Sequence, residues 1–297
     1  MDYVLLFIAL TSFGAATVNG ALGYGYSSLT VPLSLIMVTS RVLNPALVIV
    51  EVGVNLVNLF LGRGAIRRVW PRVKPLVIGL VPGVAIGALL LAQLSPGWVK
   101  LVVYGLMLPL ILVQAAGVRW PIRRERAVAL PFGAGVGLLY SLTTISGPPL
   151  VLFFNNQGLE KADFKVALAI TRTAESLLTL VAYLFLGLFT AESTALVWWL
   201  LPGILLGVPL GHWLIRRVSA EPFRRVCMSF DAWVVAFGLS RTIEQLGLLP
   251  AALAYQILVA TAVIDSWMIY RFFSNRAAER SNVAAGAGTV MPDPTGA

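Results

Sequence analysis

Five ionisable side chains lie inside long apolar stretches of the sequence and are the first candidates for chemistry: Glu51, Arg172, Glu175, Asp231 and Asp265. Because an ionisable group at the centre of a bilayer costs about 3 kcal/mol or more, such residues mark ligand sites, proton carriers or ion pairs. Arg172 is the one basic residue deep in a predicted span, and its planar guanidinium can bind a carboxylate or sulfonate through two parallel hydrogen bonds. We therefore expect Arg172 to bind an anionic substrate and the four acids to act in coupling or gating.

Each of these residues also has a structural interpretation. Arg172 can form a buried ion pair with Glu51 or Glu175, in which case it contributes to folding and not to binding. Asp231 and Asp265 can be hydrogen-bonded packing residues instead of carriers of a coupling proton. The sequence alone leaves both interpretations standing.

Two apolar segments are interrupted by proline. The stretch TTISGPPLVLFFNN, residues 143–156, contains two consecutive prolines, and the stretch YSSLTVPLSL, residues 26–35, contains Pro32. Proline cannot donate the backbone hydrogen bond that a helix interior needs. In hydrocarbon, non-helical backbone is tolerated only where it is buried in protein or lines a wet cavity. Both interruptions therefore predict a site.

The small residues before these prolines predict the starts of two helices. Serine, threonine and glycine cap helix N-termini and proline is accepted in the first turn, so we expect one helix to begin at Ser146 or Gly147 and the other at Ser28 or Thr30. Free N–H groups and the positive dipole end would make each start an anion site. The predicted substrate-binding residues here are Ser27, Ser28, Thr30, Thr143, Thr144, Ser146 and Gly147. The alternative is that they are packing hinges.

The elements that must position these residues are membrane-spanning helices. Of 297 residues, 58% are hydrophobic and only 12% are charged, against roughly 25% charged in soluble domains. The net charge of +9 arises from short basic clusters without a continuous basic face, so we expect no nucleic-acid partner. With a single cysteine, a single histidine and no Ser-His-Asp grouping, we expect no metal site, no cofactor and no enzyme.

Apolar segments lie at about residues 3–18, 29–39, 42–62, 75–93, 98–118, 127–141, 148–156, 164–189, 195–215, 223–243 and 249–270. Seven of them are long enough to span a bilayer. The segments 29–39 and 148–156 have about ten residues each, so at 1.5 Å per residue they reach about halfway through a hydrocarbon core roughly 30 Å thick. We predict that they are half-helices.

Basic residues between the segments predict the topology, because cytoplasmic loops are rich in lysine and arginine. The basic clusters lie at residues 63–74, 119–126, 216–225 and 271–280. All four are cytoplasmic only if residues 3–39 and 127–156 each enter and leave the membrane on one side, as re-entrant hairpins. The N-terminus is then outside and the C-terminus cytoplasmic, with Arg41, Lys100 and Arg241 as the basic residues left outside.

The two halves of the chain repeat. NGALGYGYSSLTVPLSL aligns with VGLLYSLTTISGPPLVL, ALVIVEVGVNLVNLFLG resembles ALAITRTAESLLTLVAYLFLG, and PGVAIG aligns with PGILLG, each pair about 120 residues apart. The span 75–93 runs outward and its counterpart 195–215 runs inward. Such inverted repeats are typical of secondary transporters, in which broken helices from both halves meet near the membrane midplane.

The predicted fold is an all-α polytopic membrane protein with two inverted-topology repeats. Each repeat has a broken re-entrant helical hairpin and about three transmembrane helices, and one extra helix follows. The predicted boundaries are 1–118 for the first repeat, 119–126 for a cytoplasmic linker, 127–246 for the second repeat, 247–270 for the extra C-terminal helix and 271–297 for a disordered cytoplasmic tail.

The repeat alignment also predicts a polar face on two helices. It pairs Glu51 with Arg172, Asn55 with Ser176, and Asn58 with Thr179. In each half the three positions follow i, i+4, i+7 spacing, so they share one helical face that is turned away from lipid. Asn55, Asn58 and Ser176 therefore join Arg172 as predicted substrate-binding residues.

At the motifs NGALGYGYSSLTVPL and GVGLLYSLTTISGPPLVLFF the chain resembles the TauE/SafE family, the sulfite exporters or 4-toluene sulfonate uptake permeases. The similarity in size, duplication and motif position covers about residues 3–270. The chain departs from the family's common Gly-Gly-Pro form by having Ser146 before Gly147, and it carries Tyr24 and Tyr26 among the glycines of the first motif.

The resemblance implies a transporter of sulfite, sulfonates such as sulfoacetate, or related small anions across the bacterial cytoplasmic membrane, usually described as export. The expected partners are a small-molecule anion and the lipid bilayer, and proton-motive-force coupling is expected. A homo-oligomer is among the alternatives for the assembly. Charge and periodicity alone indicate only a secondary transporter that prefers anions. The alternatives are an anion channel or a carboxylate transporter, and an intramembrane enzyme is the least favoured.

Overall fold

The computed structural model describes residues 2–22, 25–115, 125–155, 157, 159–218 and 220–287. These residues form α-helices, one turn of 3-10 helix (Arg63–Ala65) and no β-strand. The helices are α1 (Asp2–Leu22), α2 (Tyr26–Ser34), α3 (Ser40–Leu61), α4 (Ile66–Gln93), α5 (Pro96–Ala115), α6 (Glu125–Thr143), α7 (Gly147–Asn155), α8 (Lys161–Phe185), α9 (Ala191–Leu214), α10 (Ala220–Gln245), α11 (Ala251–Ala254) and α12 (Gln256–Ala287).

Eight of the described helical segments are long and apolar enough to cross a membrane. Seven match the spans that the sequence predicts, and the eighth is Tyr3–Ala21, where the helix continues past the predicted end at residue 18. The all-α polytopic membrane fold is thereby confirmed. The two predicted short helices are also present, because α2 and α7 have 9 residues each and are about 14 Å long.

Close packing between glycines and backbone joins α4 to α6 and α1 to α9. A Cβ atom at Gly83 of α4 would lie 2.0 Å from the carbonyl oxygen of Ala134, and one at Gly211 of α9 would lie 2.0 Å from that of Thr17. Such small residues allow helix backbones to approach closely in a membrane. Gly79 of α4 contacts Leu130 of α6, and one turn later Gly83 contacts Ala134. Residue numbers thus increase together along the two helices, so α4 and α6 run in the same direction.

Helices α3 and α8, which are equivalent in the two proposed repeats, run antiparallel. Gly62 at the end of α3 faces Val166 in α8, whereas Asn55 bonds to Arg172 further along α8. A two-fold axis perpendicular to the helices would make equivalent helices antiparallel and would relate the α1–α9 pair to the α6–α4 pair. The packing is therefore compatible with the inverted repeat that the sequence predicts.

Two cations that the sequence predicts to lie on the outer side of the membrane cap helix C-termini. The Arg41 guanidinium donates to the carbonyl oxygens of Leu91, Ala92 and Leu94 at the end of α4, at 2.7–3.2 Å. Lys100 donates to the carbonyl oxygen of Leu35 at the end of α2. The last carbonyls of a helix lack intrahelical partners and carry partial negative charge, so both cations stabilise helix ends.

The C-terminal segment differs from the prediction of a disordered tail from Arg271 onward. Helix α12 continues through this point to Ala287. The physical reason is the local sequence NRAAERSNVAA, in which alanine, arginine and glutamate favour helix over coil. Residues 288–297 and most of the predicted linker at 119–126 lie outside the described residues.

Candidate functional site

The N-terminus of α7 lies at the proline-containing interruption that the sequence singles out. The helix begins at Gly147, and the carbonyl oxygen of Ser146 accepts its first hydrogen bond, from Leu150 N at 3.1 Å. Ser146 and Gly147 are buried, yet a Cβ atom added at Gly147 would meet no atom of the other described residues within 4 Å. The start of α7 therefore adjoins enclosed free space next to backbone N–H groups.

The N-terminus of α2 lies earlier than the sequence predicts. The helix begins at Tyr26, after Gly25 with φ 101°, so Ser28 and Thr30 are inside the helix and do not cap it. The start at Tyr26 is possible because glycine adopts the left-handed conformation without steric cost. Pro32 is also within the helix, and its carbonyl oxygen accepts a hydrogen bond from Tyr104 Oη at 3.0 Å.

The hydroxyls near these two starts have different partners. Ser27 donates to Glu51 Oε1 of α3, and Ser146 donates to Glu175 Oε2 of α8 at 2.6 Å. Thr30 instead donates to the carbonyl oxygen of Tyr26 within its own helix, and Ser28 is buried. Each short helix is thus tied through a serine to a buried glutamate on a spanning helix.

Glu51 is the centre of a group of polar side chains, the polar cluster, which consists of Ser27, Glu51, Tyr140, Ser146, Arg172 and Glu175. Its Oε2 accepts a hydrogen bond from Tyr140 Oη of α6 at 2.6 Å, and its Oε1 lies 3.5 Å from Arg172 Nη2. The Glu51 side chain is 3% exposed and that of Arg172 is 15% exposed. Two hydroxyl donors and one cation together stabilise the carboxylate, which would otherwise be costly to bury. The ion pair between Arg172 and Glu51 that the sequence offers as an alternative is therefore present.

Two buried polar atoms of this cluster lack a hydrogen-bond partner among the described residues. They are Nε of Arg172 and Oε1 of Glu175. Glu175 has no cation within ion-pair distance among the described side chains, whereas Arg172 is paired with Glu51. A buried unsatisfied group in a native structure calls for an explanation, and a role in ligand binding is one. The cluster contains one guanidinium and two carboxyl groups.

Asn55 and Ser176 connect α3 to α8 beside this cluster. Asn55 Nδ2 donates to the carbonyl oxygen of Arg172 at 3.2 Å and to Ser176 Oγ at 3.4 Å. Ser176 Oγ donates in turn to the carbonyl oxygen of Arg172 at 2.8 Å. Asn58 does not join them, because it lies in the last turns of α3, where most side chains are exposed. In α3 the predicted polar face is thus formed by Glu51 and Asn55, whereas in α8 all three predicted positions, Arg172, Ser176 and Thr179, are buried or partly buried.

Thr143 and Thr144 shape the turn between α6 and α7. Thr144 has φ 57°, a left-handed conformation that costs a β-branched residue about 1–3 kcal/mol. Thr143 Oγ1 donates to the carbonyl oxygen of Leu139 at 2.6 Å and accepts from Ile145 N at 3.0 Å. Thr144 Oγ1 donates to the carbonyl oxygen of Thr143 at 2.7 Å. Both hydroxyls are therefore used to hold the turn.

Asp231 and Asp265 lie apart from the polar cluster. Asp265 of α12 accepts hydrogen bonds from Arg225 at 2.9 Å and Ser229 at 3.2 Å, both on α10. Asp231 is buried in α10, and no hydrogen bond or ion pair joins it to the cluster in the described part of the chain. Asp265 thus joins α12 to α10 by a buried ion pair.

The sequence reasoning missed two contributors to the site. Tyr140 donates to Glu51, and Asn44 Nδ2 donates to the carbonyl oxygen of Leu142 at 2.7 Å, which holds the end of α6 against α3. Tyr140 immediately precedes the hydroxyl-rich run SLTT, and this position was the available signal. Within the described residues, no group of three His, Cys, Asp or Glu side chains could hold a metal ion.

The spanning helices and the buried cluster at two short-helix starts define a multi-pass helical membrane protein with an internal polar site. The family model described as "Sulfite exporter TauE/SafE" matches residues 8–237. The chain belongs to the TauE/SafE sulfite exporter family, a family of membrane transporters. No curated protein and no solved structure matches the chain at a significant level.

Proposed function

We propose that the protein is a secondary transporter that moves small organosulfur anions, such as sulfite and sulfonates including sulfoacetate, across the bacterial cytoplasmic membrane. The single observation that carries this proposal is Arg172, a partly buried cation whose Nε has no hydrogen-bond partner in the described part of the chain. Membership of the sulfite exporter family supports the class of substrate and supports export. Coupling to the proton-motive force is part of the proposal.

The proposed binding site combines one full charge with the starts of α2 and α7. An oxyanion loses much of its hydration inside a membrane, and a helix dipole end worth about half a charge offsets only part of that cost. The Arg172 guanidinium supplies the full charge and a bidentate donor geometry. The backbone N–H groups at the start of α7 supply further donors, since Gly147 has free space beside it among the described residues. Ser27 and Ser146 hold Glu51 and Glu175 next to the site. Asn55 and Ser176 orient the Arg172 backbone.

The Glu51–Arg172 pair supports an exchange mechanism. In the empty site Glu51 neutralises Arg172, with Oε1 and Nη2 3.5 Å apart. An entering sulfonate or sulfite takes over the guanidinium, while Ser27 and Tyr140 continue to donate to Glu51. Because a partner is present before and after binding, the buried guanidinium never remains uncompensated.

The proposed topology follows from the basic clusters and agrees with the helix directions. We propose that the N-terminus is outside, that the C-terminus is cytoplasmic and that residues 1–118 and 127–246 are inverted repeats. Helices α4 and α6 run in the same direction, which is required if the basic clusters at 63–74 and 119–126 precede them on one side.

Transport in proteoliposomes tests the proposed function. The purified protein is reconstituted, and uptake of labelled sulfite, methanesulfonate, sulfoacetate and acetate is measured against protein-free vesicles. We expect saturable uptake of at least one sulfur oxyanion and weaker uptake of acetate. Acetate as the preferred substrate would indicate a carboxylate transporter. Large single-channel currents without saturation would indicate a channel, and recovery of a chemically altered substrate would indicate an enzyme.

A further inference from the structure

Glu175 is a buried carboxyl group that anion binding by Arg172 does not use. It lies on α8, one helical turn after Arg172, and its side chain is fully buried. Its Oε2 accepts a hydrogen bond of 2.6 Å from Ser146 at the start of α7, and its Oε1 has no partner among the described residues. The carboxyl group is thus in contact with the proposed anion site and has one oxygen free to hold a hydrogen atom.

The charged and titratable groups that face Glu175 come from three helices. Arg172 is on α8 itself, Glu51 is on α3 and Tyr140 is on α6. Helix α7 and the part of α4 from residue 75 to residue 93 contain no ionisable residue. Arg172 is already paired with Glu51, at 3.5 Å, and no cation in the described part of the chain forms an ion pair with Glu175.

Charge balance in the cluster decides which state can accept an anion. With both glutamates ionised, two negative charges face one guanidinium, and an entering monovalent anion would bring a third negative charge into a buried space. Like charges at short distance in a low-dielectric environment repel strongly. A proton on Glu175 removes one negative charge without breaking the Glu51–Arg172 pair. The anion then enters a cluster that has no net charge.

We propose, resting on the proposed function, that Glu175 is the proton carrier and that one proton and one anion cross the membrane together in the same direction. On the entry side a proton forms an O–H bond with the Glu175 carboxylate, and the anion binds to Arg172. On the exit side the anion leaves, the same O–H bond breaks and the proton is released to water. The anion undergoes no covalent change.

With this coupling a proton gradient that is acid outside opposes export. Export is therefore driven by the anion gradient, and the proton gradient sets its limit. One proton with one monovalent anion is an electroneutral pair, so each pH unit of external acidity balances about a tenfold excess of anion inside. Export therefore starts only when the internal anion exceeds that ratio. External acid at equal anion concentrations drives uptake.

The test uses proteoliposomes and a transported member of the panel above that carries one negative charge, either methanesulfonate or hydrogen sulfite. Accumulation is measured with imposed pH gradients of either sign, internal pH is followed with a trapped dye, and exchange of labelled for unlabelled anion is measured at equal pH. We expect external acid to raise accumulation about tenfold per pH unit, with one proton entering per anion. In Glu175→Gln we expect the gradient response to be lost and exchange to remain.

The control is Glu244→Gln, which neutralises an exposed acid at the C-terminal end of α10, outside the cluster, and is expected to keep the gradient response. Gradient-driven accumulation in Glu175→Gln would overturn the inference. Accumulation driven by internal acid in the unaltered protein would also overturn it, because that sign means exchange of proton for anion. Loss of both exchange and accumulation in a folded Glu175→Gln variant would make Glu175 a binding or packing residue. If the unaltered protein transports no member of the panel, the proposed function itself fails.

Discussion

Replacement of Arg172 by glutamine removes the cation of the polar cluster and keeps a polar side chain. Nη2 of Arg172 lies 3.5 Å from Glu51 Oε1, and two unit charges at this separation attract by about 5 kcal/mol at an effective dielectric constant of about 20. Desolvation cancels much of that attraction, and loss of one partner from a buried charge pair costs about 2–5 kcal/mol. An anion that replaces Glu51 at the same distance should lose a similar amount. We therefore expect the Kd of Arg172→Gln to rise at least about 30-fold.

Two companion variants separate binding from folding. Arg172→Lys keeps the charge but loses the planar fork, so we expect its affinity to lie between those of the unaltered protein and Arg172→Gln. The double variant Arg172→Gln, Glu51→Gln removes both charges and leaves no buried carboxylate without its cation. We expect this double variant to fold better than Arg172→Gln and still to bind poorly.

The assay is the stabilisation of the detergent-solubilised protein by the transported anion. Binding to the folded state raises stability by RT ln(1 + [L]/Kd), so a titration of the unfolding temperature reports Kd for each variant. Size-exclusion chromatography checks that the variants are folded. A folded Arg172→Gln variant with unchanged affinity would refute the reasoning. Recovery of full affinity in the double variant would do the same, because Arg172 would then only balance Glu51.

Three further predictions concern the start of α7, the C-terminal helix and the topology. Gly147→Leu should reduce transport more than tenfold and remain folded, because the side chain enters free space beside the helix start. Gly135→Leu is the control and should transport normally, since a Cβ atom there also meets no described atom within 4 Å. Equal transport by both variants would remove Gly147 from the site. Asp265→Ala should lower the free energy of unfolding by about 3 kcal/mol, because it breaks the buried pair with Arg225. Proton coupling should remain intact. A variant of normal stability that lost proton coupling would show that Asp265 is a proton carrier. Epitope tags at the two ends of the chain should be accessible from opposite sides of oriented vesicles, and accessibility from one side would contradict the inverted topology.

Much of the fold follows from local properties of the sequence. Long apolar runs predict seven of the eight candidate spans, because a hydrophobic length of about 20 residues is itself the condition for crossing a bilayer. The start of α7 at Gly147 is predicted for a similar local reason, since Pro148 is accepted only near the beginning of a helix. The same rule placed the start of α2 wrongly, because Gly25 in a left-handed conformation lets the helix begin at Tyr26, six residues before Pro32.

Which residues form the site could be predicted only in part from the sequence. Helical periodicity places Glu51, Asn55 and Asn58 on one face. Neighbouring helices cover this face less in the last turns of α3, so Asn58 is exposed and the other two are buried. Likewise Asp265 and Glu175 are both acids in apolar runs, and their different roles come from the helices they meet. Asp265 meets Arg225 on α10, whereas Glu175 meets Ser146 at the start of α7. Such partners are far apart in sequence and meet only through helix packing.

The sequence by itself therefore determined that this chain spans a membrane, where its helices break and which residues are too polar for lipid. Each of these depends on the free energy of transferring one segment or one side chain from water to hydrocarbon. Only the tertiary structure decided that Glu51 pairs with Arg172, that Tyr140 joins them and that Glu175 has no cation within ion-pair distance among the described residues. Those contacts depend on how each helix is rotated and how deeply it is set, and close glycine-to-backbone packing between different helices controls both.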